Sequence, residues 1–489
     1  MFGNLGCSAG LYARHATLKG GATGKRIFPK KTEGRLKNRI SQYFQLETNG
    51  TTFEREVVGG ITTFLAMSYI IFVQPGVLSQ AGMDFRAVLC ATCLAAALST
   101  FLMGLLANYP VALAPGMGEN FFFVYTLCGV APLGFGLSWQ QALAAVLLAG
   151  IFFIAITLTG IRAQIVNSIP DSLKRGIAAG IGLFITLIGL EYGGLVVASP
   201  GTLVRLGDFR QPATLISVLG LLALVVLLAF RVRGAILLGI LVTAGMAAAA
   251  GLVHYQGVFS AQIHLLPTFM KFDLHGLFLL EPTKLASAIF VLFYLALFDT
   301  VGTLVGVSQQ AGLLREGKLP RAGRALFADA VGTTVGAGLG TSTITCYIES
   351  AAGVSDGART GLANMVTGAL LLAAMFFSPL AAMIGGGVQV GVDAGNHSIL
   401  RYPTLAPALI VVGSMMLKVI REFNWDDPTE YLPAFLTLVG IPLTFSIADG
   451  IAFGLIAYSV AKVATGRWRE CPTLTYIFAA LFVVQFFIL

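Results

Sequence analysis

The chain reads as an all-α polytopic membrane protein of about fourteen transmembrane helices, arranged as a seven-plus-seven inverted repeat. Three observations predict this. Hydrophobic residues make up 56% of the 489 positions and charged residues 11%, against about 25% charged in an average soluble domain. Apolar stretches long enough to cross a hydrocarbon core of ~30 Å recur from residue 57 to the C-terminus. Two of these stretches, third and tenth in order, are short and interrupted by Gly, Pro and Thr. Each is third within a set of seven, and seven is odd, so the second set runs in inverted orientation. Large soluble domains are excluded.

Hydropathy places the first seven spans at 57–75, 87–107, a short 111–128, 139–161, 173–192, 213–230 and 234–253. The second seven fall at 285–306, 325–339, a short 343–354, 360–384, 405–421, 431–446 and 447–464. A further apolar stretch, 471–489, closes the chain. Either it is an extra crossing, or 431–464 is a broken helix pair that spans once. Polar breaks fall at 196–212, 254–284, 307–324 and 386–404.

Net charge is +8, but it is concentrated at one end. Residues 1–50 carry nine Lys/Arg against Glu33 and Glu47, while the rest is nearly balanced. We read 1–50 as a basic, disordered cytoplasmic tail ahead of a transporter domain at 51–489. No aromatic stacking platform accompanies the charge, so a nucleic-acid partner is not expected. With the tail inside, the inner loops hold Arg162, Lys174, Arg175, Arg231, Arg233, Arg315, Lys318, Arg321, Arg324, Arg359, Lys418, Arg421, Arg467 and Arg469. The outer loops hold Arg205, Arg210, Lys271 and Arg401, with Lys284 at a border. That asymmetry favours a cytoplasmic N-terminus. Cys90 and Cys93 have CxxC spacing inside an apolar run, and no second Cys pair or His cluster completes a metal site. They read as packing residues, and no cofactor is expected.

An ionised side chain in a bilayer core is costly unless paired or facing water, so intramembrane acids mark candidate sites. Asp299 follows ten apolar residues, Ile289 to Phe298, about 15 Å of helix. Glu349 ends the short tenth span. Glu119 and Asn120 lie in the short third span. Asp329 and Asp449 read as ordinary helix-start residues, and Glu191 as an outer-interface residue. No Lys, Arg or His stands in the neighbouring apolar runs as a counter-charge. Either an acid takes a proton in one state, or substrate N–H groups satisfy it. The broken helices would add backbone N–H groups near Gly118, Glu119 and Asn120 and around 346–349. A flat heterocycle fits such a site, with Phe121 or Tyr347 stacking on its face.

Four segments carry a resemblance: NGTT at 49–52 with GGITTFLAMSYIIFV at 59–73, ANYPVALAPGMG at 107–118, FDTVGTL at 298–304 and GTSTITCYIESAAGV at 340–354. In this order they resemble the azaguanine-type purine permeases, a branch of the nucleobase–cation symporter superfamily, from about residue 45 onward. The resemblance implies the fourteen-helix inverted repeat. A core domain (57–161 and 285–384) would hold the substrate and a gate domain (173–253 and 405–489) would flank it. It implies proton-driven uptake of hypoxanthine, guanine or adenine through an inner membrane, and by analogy a homodimer through the gate. It carries Asp299, Glu349 and Asn120 over as substrate-site residues, the two acids as proton-coupling groups. Thr303 falls one turn after the eighth-helix acid, where related members place a polar or His side chain. Two positions depart from the pattern. Ala296 stands where members often have a second acid, and Glu119 where many have an apolar residue. A uracil or xanthine permease of the same fold, and a sulfate-type anion transporter or channel, stay open as alternatives. No paired His/Glu metal motif or activated nucleophile points to an enzyme.

Overall fold

The computed structural model describes residues 38–129, 134–159, 170–199, 201–253, 255–314, 319–392 and 398–488. The tail before residue 38, and Arg162, Arg315 and Lys318 of the charge count, lie outside the described residues. The chain divides into two units, Met1–Tyr43 and Phe44–Leu489. The described residues 38–43 of the first are helical. The second begins earlier than residue 51, the boundary that polarity suggested. Phe44 and Leu46 are buried apolar anchors, and Thr51 Oγ1 donates to Gly357 O at 3.1 Å.

The first half runs α1 (Phe53–Met67), α2 (Ile70–Leu78), α3 (Phe85–Leu102), β1 (Leu113–Pro115), α4 (Met117–Phe121), α5 (Trp139–Thr159), α6 (Asp171–Tyr192), β2 (Val196–Ser199), β3 (Leu203–Leu206), α7 (Pro212–Ala229), α8 (Ala235–Ala249) and α9 (Leu274–Phe278). The second runs α10 (Pro282–Gln310), α11 (Ala322–Leu339), β4 (Ile344–Cys346), α12 (Ser350–Ser355), α13 (Gly361–Ala374), α14 (Ser378–Gly385), β5 (Val388–Val392), β6 (Ser398–Arg401), α15 (Ala406–Met416), α16 (Pro428–Thr444), α17 (Ile447–Ala464) and α18 (Thr473–Ile488). Among the described residues, eight helical stretches are long and apolar enough to cross a membrane. The all-α reading needs one correction. The described residues include three two-stranded antiparallel pairs, β1–β4, β2–β3 and β5–β6. The last two occupy polar breaks, where short extended segments pair their own backbone groups.

Two groups of helices form. In one, α1 packs on α12 and α13, α3 on α11 and α13, and α5 on α10 and α11. In the other, α6 packs on α15, α16 and α17, and α7 on α8 and α15. Lipid offers no hydrophobic drive between helices, so close approach comes from small residues. A β carbon at Gly353 would lie 2.1 Å from Thr63 Oγ1 and 2.4 Å from Gly59 O, which pins α12 against α1. Glu56 of α1 adds a buried cap to α13, accepting from the backbone N–H of Arg359 (2.8 Å), Thr360 (3.3 Å) and Ala363 (3.2 Å). Cys90 and Cys93 are buried in α3 and unbridged.

Residues 428–464 form a helical hairpin. α16 and α17 turn at Phe445, whose backbone is left-handed (φ 52°), and pack side by side. Their open ends meet where Lys462 Nζ lies 2.7 Å from Glu430 Oε1. Beyond that end, Arg467 pairs with Asp427 at 2.6 Å and Glu470 at 2.7 Å. Its hydrogen bonds hold both carboxyls down at about 2, with Thr429 assisting at Asp427 and Lys462 at Glu470. α18 follows as a further apolar helix.

At the centre, β1 and β4 cross as an antiparallel pair: Leu113 opposite Cys346, Ala114 opposite Thr345, Pro115 opposite Ile344. Extended backbone at membrane depth survives only where its polar groups find protein partners. Here two threonines supply them. Thr100 of α3 accepts the Leu113 N–H and donates to Leu113 O, both at 3.0 Å. Thr333 of α11 does the same for Ile344, both at 3.1 Å. Thr333→Val keeps the shape and removes both bonds, leaving two buried groups unpaired at about 1–3 kcal/mol each. The purified variant in detergent should melt at least ~3 °C below the unaltered protein; an equal melting temperature would show that the crossing does not depend on this clamp.

Candidate functional site

The crossing turns each broken span from strand into half-helix. After β1, Gly116 caps α4 in an extended conformation, and Glu119 occupies the third helical position. Its Oε2 folds back so that a β carbon at Gly116 would lie 2.1 Å away, and 2.9 Å from Thr345 Oγ1. A side chain at Gly116 would therefore displace the Glu119 carboxyl, and Glu119 and Thr345 share its vicinity. On the other half-helix, Glu349 is the residue just before α12. The sequence reading put Glu349 at the end of its span. The structure puts it at the start of the half-helix, where the free backbone N–H groups favour a negative neighbour.

Asp299 sits just past the midpoint of the 29-residue α10. Asp299, Glu119 and Glu349 lie close enough to act on one another in sequence: Glu349 on Asp299, and Asp299 on Glu119. Among the described residues, no Lys, Arg or His acts on any of the three. Asp299 and Glu349 keep some accessible surface, whereas Glu119 and Asn120 are buried. Tyr69 Oη donates to Glu349 Oε1 at 2.7 Å. Thr345 faces the Asp299 carboxyl without completing a hydrogen bond.

Asp329 corrects its expectation as a helix-start residue. It lies well inside α11, is 1% exposed, and accepts from Thr300 Oγ1 at 2.8 Å. It acts electrostatically on Asp299 and Glu119, so a fourth carboxyl stands behind the three. Asp449 keeps the helix-start role, its N–H bonded to Ser446 Oγ (3.2 Å) at the head of α17. Glu191 pairs with Arg401 at 3.0 Å.

The remaining expected residues divide. Asn120 accepts from Ser342 Oγ. Thr303 is nearly buried, one turn beyond Asp299. Gly118 brings α4 against α6 and α17, since its β carbon would lie 3.2 Å from Ile181 and 3.6 Å from Ile447. Tyr347 spends its hydroxyl on Pro115 O at 2.5 Å and so ties the two broken spans together. Phe121 is fully buried, near-parallel to Tyr125 at 6.2 Å and edge-on to Phe184 at 5.9 Å. Sequence reasoning missed Tyr69, Gln74 and Ser342. A signal was present: Gln74 interrupts an apolar run just before Pro75, and a polar side chain at that depth calls for a partner.

Around the crossing, the buried oxygens Gln74 Oε1, Glu119 Oε1, Thr343 Oγ1 and Thr345 Oγ1 have no hydrogen-bond partner. Such atoms are costly to bury unpaired. Together with the carboxyls they form an acceptor-rich surface suited to a ligand with several N–H donors.

Comparisons agree with this architecture. The model of the permease family matches residues 54–453. The guanine/hypoxanthine permease PbuO of Bacillus subtilis (strain 168) is 40% identical over 455 residues, covering 91% of this chain and 100% of that one. The adenine permease AdeQ of Escherichia coli (strain K12) is 41% identical over 447 residues, covering 91% and 96%. In fold, the transmembrane domain of the cyanobacterial bicarbonate transporter BicA superposes with a TM-score of 0.58 at 15% identity, over 82% of this chain and 97% of that one. With most of its length matched by the family model and by relatives above 30% identity, the chain is an integral membrane protein of the permease family.

Proposed function

We propose that this permease is a secondary active transporter that imports purine nucleobases (adenine, guanine or hypoxanthine) by proton symport. The observation that carries the reading is the set of three counter-charge-free carboxyls, Asp299, Glu349 and Glu119, at a crossing of two interrupted spans. A purine offers ring and exocyclic N–H groups to those oxygens, and Asn120 offers a donor to a ring nitrogen or carbonyl. The names of the relatives support this substrate class. The same carboxyls oppose an anion as cargo. Protons are the natural co-substrate, since a buried acid with no cation beside it is most cheaply neutralised by a proton.

Support for alternating access comes from the two helix groups. We read α1–α5 with α10–α14 as the core, α6–α8 with α15–α18 as the gate, and the whole as a seven-plus-seven inverted repeat with a cytoplasmic N-terminus in the plasma membrane. The matched Thr100 and Thr333 clamps, on the second span of one half and of the other, are what such a repeat would produce. At the end carrying Arg233, a crevice of about 260 Å³ opens between α1 and α12 on one side and α8 and Met415 on the other. Arg233 reaches Asp356 across it at 3.2 Å. At the opposite end the groups are closed by Tyr125, Phe184 and Phe445, with ring separations of 5.4 and 6.2 Å, and by Gln80 bonded to Tyr125 (3.0 Å) and to Tyr192.

Uptake of radiolabelled adenine, guanine and hypoxanthine in cells lacking their own purine permeases tests the reading. Asp299→Asn and Glu349→Gln should each lower uptake by ~100-fold or more at equal membrane abundance, since each removes a charged hydrogen bond worth about 1.5–3 kcal/mol in binding and a proton carrier besides. Retained uptake in both would sink the site. Transport of sulfate or uracil with no purine competition would sink the substrate class. A protonophore, or raising external pH towards that of the cytoplasm, should abolish accumulation while leaving purine exchange; accumulation indifferent to both would exclude proton coupling. Tyr69→Phe frees Glu349 Oε1 and should raise KM ~10-fold with kcat little changed. An unaltered KM would mean that Tyr69 does not orient that carboxyl.

A further inference from the structure

Gln74 lies on α2, which packs against β1 and α4, and its side chain is 0% exposed. Its Nε2 lies 3.0 Å from Thr341 Oγ1 and 3.1 Å from Ser342 Oγ. Ser342 Oγ in turn donates its one proton to Asn120 Oδ1. That donation decides the direction of the chain. With its proton committed, Ser342 can only accept from Gln74, so the NH2 group of Gln74 must face it. The amide is thereby oriented, and Oε1 is left without a partner in a buried setting. The same logic fixes Asn120. Its Oδ1 is engaged, and its Nδ2 meets only the Met117 thioether at 3.9 Å, a weak acceptor. One serine thus leaves a buried, unpaired acceptor on the first span and a weakly partnered donor on the third, joined through the tenth.

A planar nitrogen heterocycle carries this pairing along one edge, an N–H beside a ring nitrogen or carbonyl. We propose that Gln74 is a specificity-determining residue: its Oε1 accepts one ring N–H of the purine, Asn120 Nδ2 donates to the adjoining acceptor, and Ser342 holds both amides in that sense. The proposal rests on the nucleobase reading of the site and adds to it the contact that selects one edge. A site built to hydrogen-bond a given N–H rejects analogues lacking it strongly, because its own buried oxygen is then stranded.

The test is competition against labelled hypoxanthine by unlabelled hypoxanthine and its 1-, 3-, 7- and 9-methyl derivatives, in the unaltered permease and in Gln74→Ala. Alanine removes the acceptor and leaves room for a methyl group. Hypoxanthine itself should bind ~10-fold more weakly to the variant. The penalty for methylation should collapse at one ring position and persist at the others. Ser342→Ala, which makes no substrate contact in this scheme, should weaken the same discrimination in milder form. It supplies a second reading if Gln74→Ala does not reach the membrane. A parallel loss at every ring position, or unchanged ratios in both variants, would overturn the proposal and leave Gln74 a packing residue. Absence of any purine uptake by the unaltered protein would instead remove the nucleobase reading beneath it.

Discussion

Two hydroxyl groups hold together the break in the middle of this molecule. A membrane span that stops being helical exposes backbone N–H and C=O groups to a medium without water. β1 and β4 meet part of that cost by pairing with each other. Their outer edges would still be bare without Thr100 and Thr333, each of which accepts from and donates to a single strand residue. Every candidate site group follows from that arrangement. The strands end where they do, so α4 and α12 begin beside the crossing, and Glu119 and Glu349 fall near the Asp299 of α10. Tyr347 reinforces the link by bonding from the second broken span to the carbonyl of Pro115 in the first.

The chemistry of the site is the consequence of leaving charge without a partner. Elsewhere the protein neutralises its acids: Glu56 accepts three backbone N–H groups, Glu430 meets Lys462, and Asp427 and Glu470 share Arg467. At the crossing no cation is offered among the described residues, and several buried oxygens stay unpaired. Four such oxygens gathered at one crossing, beside carboxyls with no cation, are what mark it as a candidate binding surface rather than structural polarity.

Much of this was legible in the residues. The positions of Gly116 and Gly340 around interrupted apolar runs announced the broken spans, because only a helix break explains Pro, Gly and Thr so closely spaced at that depth. Asp299 announced itself by ten apolar residues before it. Other features could not be read, and the reasons are physical. Asp329 looked like a helix start because charge near a predicted boundary is ordinary there; only tertiary packing carries that helix further and buries the acid against Thr300. Tyr69 and Gln74 lie in the first span, about 270 to 280 residues from Ser342 and Glu349 in sequence, a separation that no local pattern reports. β2–β3 and β5–β6 sit in stretches whose composition looks like loop, where pairing is decided by a partner strand rather than by propensity.

The most direct measurement is a structure of the purified protein in lipid, determined with hypoxanthine bound. The account predicts planar density between the starts of α4 and α12, edge-on to Asp299 and Glu349, with Gln74 and Asn120 on one edge. Density for the base at any other place, or the Asp299 and Glu349 carboxyls closed on protein groups with no base between them, would contradict it.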